Sequence, residues 1–364
     1  MKIYQYILFI IFNLLFIIIN YNVFSDCCNC IEKNKDSDET KEKGENPDKT
    51  KRKGKPIFPN KHYNKGIKNS SQHNKDINTY NRDVFENTMK ICDTNKYVQE
   101  AIKESIKVQS FIPETSNIIY KNGKPSDIKT EFNTKSKGNI EFQEKTTIKA
   151  ALDYLKETGH EKKIAILNFA NWTNPGGGVT VGAVAQEEAI CRCSTLYKNL
   201  IADNVSGFYN SHNSRDNDNN YIYNNDIIYS PKVLILKDDT DSKNILTLNL
   251  NDDKNKQNFV SVITCAAPFN NNGKNFTDPD IYNIHLSRGK RILDIALNND
   301  IDIIILGAFG CGAFENNPTE VSKAYKEILI GQNYEKYFEK VVFAIPDKNS
   351  KNYKTFFATF NNKK

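Results

Sequence analysis

Residues 164–188 read IAILNFANWTNPGGGVTVGAVAQEE. The first six, Ile164–Phe169, form a short apolar run with almost no polar alternation, which predicts a strand buried on both faces. Gly176, Gly177 and Gly178 follow. Three bare α-carbons let the backbone take φ > 0 and let its amides approach a phosphate or sugar closely. Gln186-Glu187-Glu188 then opens a helix, whose N-terminal amides favour an anion nearby. A triple glycine alone is a flexible turn; followed by paired carboxylates at a helix start, it becomes a specific signal.

Successive helical residues diverge by about 100°, so Glu187 and Glu188 can face one ligand only in the first turn. One can then grip a hydroxyl while the other meets a scissile oxygen. Adjacent carboxylates repel and a dry pocket disfavours either charge, so one pKa is expected to rise toward the working pH, although the helix dipole opposes this. A raised carboxyl is what a general acid in glycosidic cleavage requires. The plainer reading is that acids simply satisfy the helix dipole.

Outward from this stretch, helical spacing predicts helices over residues 84–110, broken at Asp93-Thr94-Asn95, and over residues 146–158. Helices are also predicted over 186–200, 285–298 and 318–330, and strands over 232–236, 259–265, 301–306 and 340–345. Wholly apolar strands alternating with helices indicate an α/β/α three-layer sandwich. Residues 203–225 are rich in Asn and Asp and read as a loop insertion.

A second glycine-bearing loop, ILGAFGCGAFENNP, spans residues 305–318. It too runs from a strand into a helix, the layout of a phosphate-cradling loop. It is neither a Walker sequence nor a dinucleotide fingerprint in its usual spacing. Phe309, nearer the strand, reads as core, whereas Phe314 offers a flat face to a base. Cys311 has no His in its segment to activate it and reads as a small space-filler rather than a nucleophile.

The rest of the chain dilutes this core. Of 364 residues, 38% are hydrophobic and 26% charged, and the mean hydropathy is −0.61. Long apolar runs exclude a wholly disordered chain, and scattered glycines without heptads exclude collagen-like and coiled-coil classes. The net charge of +6, from 50 basic and 44 acidic residues, tolerates anionic ligands without demanding nucleic acid, and no direct DNA or RNA binding is expected. Residues 3–19, IYQYILFIIFNLLFIII, suit the apolar part of a cleaved signal peptide within residues 1–25 or a retained membrane anchor, with a buried helix as the bland alternative. Either of the first two predicts the secretory pathway: secreted, luminal or membrane-anchored. Residues 26–79 are polar and read as a disordered linker. It holds Cys27, Cys28 and Cys30, candidates for disulfides or acylation, and a basic run at 49–55 that reads as solvated linker.

NFANWTNPGGGVTVGAVAQEE resembles the signature of poly(ADP-ribose) glycohydrolases, a triple glycine followed after a short spacer by Gln-Glu-Glu. NRDVFENTMKIC, TTIKAALDYLK, Tyr229-Ser-Pro with Lys237-Asp-Asp, CAAPFN and ILGAFGCGAFENNP stand in the order shown by the compact, bacterial-type members. The resemblance spans about residues 80–360. It implies a macrodomain-like fold with an N-terminal helical extension over residues 80–364, acting as a monomer on poly(ADP-ribose) or ADP-ribosylated protein without metal or cofactor. Glu188 is implied as catalytic acid and base, and Glu187 as the residue holding ribose hydroxyls. Gly176, Gly177 and Gly178 would line the diphosphate and distal ribose, beside Val179 and Gln186. Asn168 would help orient the ligand. Gly310, Cys311, Gly312, Ala313 and Phe314 would form the second phosphate loop, with Phe314 against the adenine or its ribose. The insertion at 203–225, the secretory-type N-terminus and Cys265-Ala-Ala depart from the family pattern. Two other readings stay open, an ADP-ribose-binding reader and a mono-ADP-ribosyl hydrolase.

Overall fold

The computed structural model describes residues 70–121, 124–213, 224–241, 244–253, 258–271 and 273–361. All lie in the second of the chain's two compact units, Gly66–Lys364. The apolar run 3–19, the three cysteines that follow it, the basic run 49–55 and residues 26–69 of the expected linker fall outside the described residues.

Two helices come first, α1 (Ser70–Thr94) and α2 (Lys96–Val108). The break falls at Asn95, whose side chain accepts from the Val98 amide at 3.2 Å and caps α2. The folded part therefore begins near Ser70, and residues 70–79 are helix rather than linker. Their sequence, SSQHNKDINT, is polar nearly all round and offers no apolar stripe to read.

Strand β1 (Ser110–Ile112), the hairpin β2 (Ile118–Lys121) and β3 (Lys124–Asp127), and β4 (Ile140–Gln143) precede α3 (Thr147–Glu157). Then come β5 (Ile164–Phe169), α4 (Gln186–Cys193), α5 (Leu196–Leu200), α6 (Ser206–Asn213), β6 (Ile227–Leu234) and a short pair, β7 (Lys237–Asp238) and β8 (Leu246–Thr247). The chain continues through β9 (Phe259–Cys265), α7 (Asp278–Asn298), β10 (Ile303–Leu306), α8 (Pro318–Lys326), β11 (Lys340–Ala344) and α9 (Lys351–Asn361). The main sheet has seven strands in the order β1-β6-β9-β5-β10-β11-β4. From β9 to β4 neighbours run parallel, while β6 is antiparallel to β9 and β1 antiparallel to β6.

Strand periodicity sorts the core into two layers. Ile164 and Ile166 of β5, with Val260 and Val262 of β9, pack under α3, α4 and α5. Ala165, Leu167, Ile263 and Cys265 point the other way, into the residues of α7, α8 and α9. The sheet is covered on both faces, as its unbroken apolar strands require, and the α/β/α sandwich stands.

Several boundaries differ from the sequence reading. The helix expected over 186–200 breaks at Ser194, which is extended and bridges to Ile235, while the Leu234 amide donates to Thr195 Oγ1 at 3.0 Å. The strand expected at 232–236 starts at Ile227, because Pro231 and Lys232 form a bulge inside it, with Lys232 at φ +58°. Helix α7 starts at Asp278 instead of 285, fixed by a Thr277–Asp280 capping box ahead of a polar first turn. The expected loop 203–225 is helical in its first part: α6 buries Phe208 and Tyr209 against the core, and residues 214–223 lie outside the described residues.

Candidate active site

The carboxyl ends of β5, β9 and β10 lie side by side, so the loops that follow them share one rim of the sheet. Gln186 ties the first of these loops down. Its Oε1 accepts from the Phe169 amide at 2.9 Å, and its Nε2 donates to Leu167 O at 2.7 Å and Thr147 Oγ1 at 3.1 Å. Both ends of the side chain are thus committed to the protein. Gln186 locks the start of α4 onto the end of β5.

Helix α4 begins without a side-chain cap, since Ala185 has none to offer, and its first turn carries Glu187 and Glu188. Glu187 is only 3% exposed. Its Oε2 accepts from the Asn171 amide at 2.7 Å and its Oε1 from Asn168 Nδ2 at 3.1 Å. Burial pushes its carboxyl up to about 8, against the Asn171, Asn168 and Gly176 donors and with help from the charge of Glu188. One carboxyl of the pair is raised toward neutrality, as the sequence suggested, and it is Glu187. Asn168 is fully buried, with Nδ2 shared between Glu187 and Thr264 Oγ1 at 3.3 Å. It orients Glu187, and its Oδ1 is buried without a hydrogen-bond partner among the described residues.

Glu188 turns to the glycine loop: its Oε1 accepts from the Gly178 amide at 2.8 Å. A methyl group on Gly177 would overlap Glu188 Oε1 and come within 3.2 Å of Glu187 Oε2. The glycine at 177, at φ +59°, is there because both carboxylates cross its α-carbon. The three amides have partners inside the protein. That of Gly176 faces Glu187, that of Gly177 donates to Asn174 O at 2.9 Å, and that of Gly178 holds Glu188. The loop cradles the two carboxylates, and Val179 is buried in the core under the sheet.

The loop after β10 is built differently. Gly310 takes φ +76°, and a Cβ there would meet Ala267 Cβ at 2.7 Å and Asn316 Nδ2 at 2.9 Å. Asn316, which the sequence reading passed over, staples the loop. Its Nδ2 donates to Pro268 O at 2.7 Å, Gly310 O at 2.9 Å and Phe314 O at 3.2 Å. Its Oδ1 lies 3.0 Å from His285 Nε2, so the proton of His285 sits on Nε2. Burial pushes His285 down to about 3 and keeps it neutral. Cys311 points back toward Phe309 O at 3.6 Å, its amide donates to Ala308 O, and burial pushes its thiol well up. Its side chain is partly buried and packs against the core. Gly312 and Ala313 are exposed, and nothing lies near Gly312.

Three half-buried rings join the three loops. Trp172 and Phe314 meet edge-on at 5.1 Å between centroids and Phe269 and Phe314 edge-on at 6.0 Å, while Trp172 and Phe269 lie tilted at 5.8 Å. Phe314 was singled out in the sequence; Trp172 and Phe269 were not, although each stands just beyond a strand end. Phe309 is buried beneath, against His285, as core.

Residues 85–238 match the family model described as the microbial-type PARG catalytic domain. Among solved structures, the chain is similar to poly(ADP-ribose) glycohydrolase from Thermomonospora curvata, with a TM-score of 0.62 and 24% identity over 78% of this chain and 98% of that one. That likeness is one of fold. The enzyme from Deinococcus radiodurans in complex with ADP-ribose gives a TM-score of 0.51 and 30% identity, over 63% of this chain and 84% of that one. No curated protein matches the chain.

Proposed function

The chain belongs to the microbial-type poly(ADP-ribose) glycohydrolases, and from that premise we propose that it hydrolyses ribose–ribose O-glycosidic bonds in poly(ADP-ribose), releasing ADP-ribose, with Glu188 as general acid and base. The observation that carries the reading is the seating of two adjacent carboxylates over one glycine α-carbon, with Glu188 fixed by the Gly178 amide.

Glu187 keeps its proton up to about 8 and so can donate to a ribose hydroxyl near neutral pH, while the acid role requires Glu188 to enter the reaction in its protonated form. Glu188 protonates the leaving ribose oxygen, and the bond breaks toward an oxocarbenium-like sugar. Glu188, now ionised, draws a proton from the water that completes hydrolysis. Glu187, held from below by Asn168, accepts from or donates to the ribose hydroxyls. The rings of Trp172, Phe269 and Phe314 offer a flat apolar face for the adenine or its ribose. The open backbone at Gly312 and Ala313 faces the diphosphate.

Radiolabelled polymer tests this. Wild type is expected to release free ADP-ribose, and Glu188→Gln to do so about 10²–10⁴-fold more slowly while still binding polymer. Polymer binding without release by the wild type makes the protein a reader. Loss of the last unit from a mono-ADP-ribosylated protein extends the activity beyond the polymer bond. The apolar run at residues 3–19 supports a secretory location; a fluorescent fusion of residues 1–30 that stays diffuse in the cytosol overturns that part.

A further inference from the structure

The turn that carries Gly178 is gripped from behind at two consecutive carbonyls. Asn81 of α1, nearly fully buried, donates through Nδ2 to Gly182 O at 3.2 Å. Arg192 of α4, also buried, donates through Nη1 to Ala183 O at 2.8 Å. The grip is close: Gly182 stands at φ +79°, and a side chain there would run into the backbone of Asn78. From these two carbonyls the turn folds back on itself. The amides of Val181 and Ala183 both donate to Gly178 O at 3.1 Å. The other side of that same residue, the Gly178 amide, holds Glu188.

Arg192 is an unusual residue to find in this place. Its Nε is buried without a partner among the described residues, and burial presses on the charged form, opposed in part by the charge of Glu188. An incompletely bonded, buried guanidinium is costly, and an aliphatic side chain would fill the space at lower cost. It stands four residues beyond Glu188, on the same face of one helix. α1 is bound to it as well, through Thr88 Oγ1 and Arg192 O.

We propose that Asn81 and Arg192 are positioning residues for Glu188: by fixing Gly182 O and Ala183 O they set where the Gly178 amide points, and through it the catalytic carboxylate. The N-terminal helical extension is then part of the catalytic apparatus. This rests on the glycohydrolase reading for its kinetic readout.

The test uses the full chain with Asn81→Leu, Arg192→Met, their double variant and Arg192→Lys. Each of the first two is expected to lower kcat on labelled polymer by about 10- to 100-fold, with KM and the calorimetric Kd for ADP-ribose within about threefold. Because both act on one turn, the double variant is expected to be no slower than the worse single, a non-additive result. Arg192→Lys, which keeps a donor, recovers part of the loss. Unchanged kcat in a folded variant, losses that multiply, or losses that follow Kd would overturn the proposal. If Arg192→Met does not fold, Asn81→Leu decides alone. If the wild type releases no ADP-ribose, the glycohydrolase reading falls, and positioning is read from the NMR amide resonance of Gly178. Its downfield position is expected to be lost in both Glu188→Gln and Asn81→Leu; retention in Asn81→Leu refutes the role of Asn81.

Discussion

After β5, the bare α-carbon of Gly177, at positive φ, and the amide of Gly178 meet a pair of carboxylates; after β10, one positive-φ glycine turns beneath an uncharged asparagine, and the next stands open to solvent. Both loops join an apolar strand to a helix, and on paper they look alike. The first is organised around charge. Burial raises Glu187, and main-chain amides hold both acids. The second is organised around shape: a neutral His285–Asn316 pair binds three carbonyls so that Phe314 meets Trp172 and Phe269. Glycine is needed in the first because a carboxylate lies where a Cβ would be, and in the second because a turn must close over Ala267. Two loops of one appearance therefore divide into one held by charge and one held by shape.

The sharpest way to break this division is Gly177→Ala. The added methyl displaces Glu188 and strains φ, so kcat is expected to fall by about 10²–10³-fold with the fold retained by circular dichroism. An alanine variant keeping more than a tenth of wild-type kcat would show that the carboxylates do not need that glycine. Next in size is Asn316→Leu, which leaves three carbonyls without their donor. A loss of about 2–3 kcal/mol in denaturant unfolding is expected, together with a KM rise of about tenfold and kcat within about threefold. A kcat collapse instead would place chemistry in the second loop.

The two loops also answer to pH with opposite sign. The folded pKa of Glu187 lies near 8, above its usual 4.5. The folded state therefore keeps a proton that the unfolded chain releases, and the stability this confers is lost as pH rises from about 4.5 to 8. The folded pKa of His285 lies near 3, below its usual 6.5. The unfolded chain takes up a proton that the folded state refuses, so stability is lost as pH falls from about 6.5 toward 3. Each slope is about 1.4 kcal/mol per pH unit at most, read by guanidinium denaturation against Glu187→Gln and His285→Gln. Identical slopes in variant and wild type would remove the contrast. Activity is expected to decline above about pH 8 as Glu187 loses its proton. The smallest effect belongs to Gly312→Ala, which meets no neighbour; kcat/KM within about twofold is expected, and a larger fall would show that a ligand approaches that backbone closely.

The sandwich was legible in the sequence because both faces of its parallel strands are covered, which makes Ile164–Phe169 and Ile303–Leu306 unmistakably apolar. Edge elements were not. β4 is half-buried along its whole length, and the first turns of α1 and α7 are polar. In the candidate site, residue type and spacing single out Glu187, Glu188 and the glycines. What spacing cannot say is which way a polar group faces. Gln186, Asn168 and Val179 adjoin the carboxylates in sequence or across the turn yet point into the protein, where they hold the acids or fill the core. Asn316 escaped notice because its three bonds go to carbonyls, which any residue could supply.

The closeness of Gly182 to Asn78 has a practical consequence for where the working unit begins. The family match starts at residue 85, and a fragment cut there would keep Glu187 and Glu188 while losing both Asn78 and Asn81. Such a piece retains the sheet and the acids but exposes the back of the turn that aims them. The edge of the family-model match thus falls inside α1, and a fragment meant to work should keep that helix from Ser70.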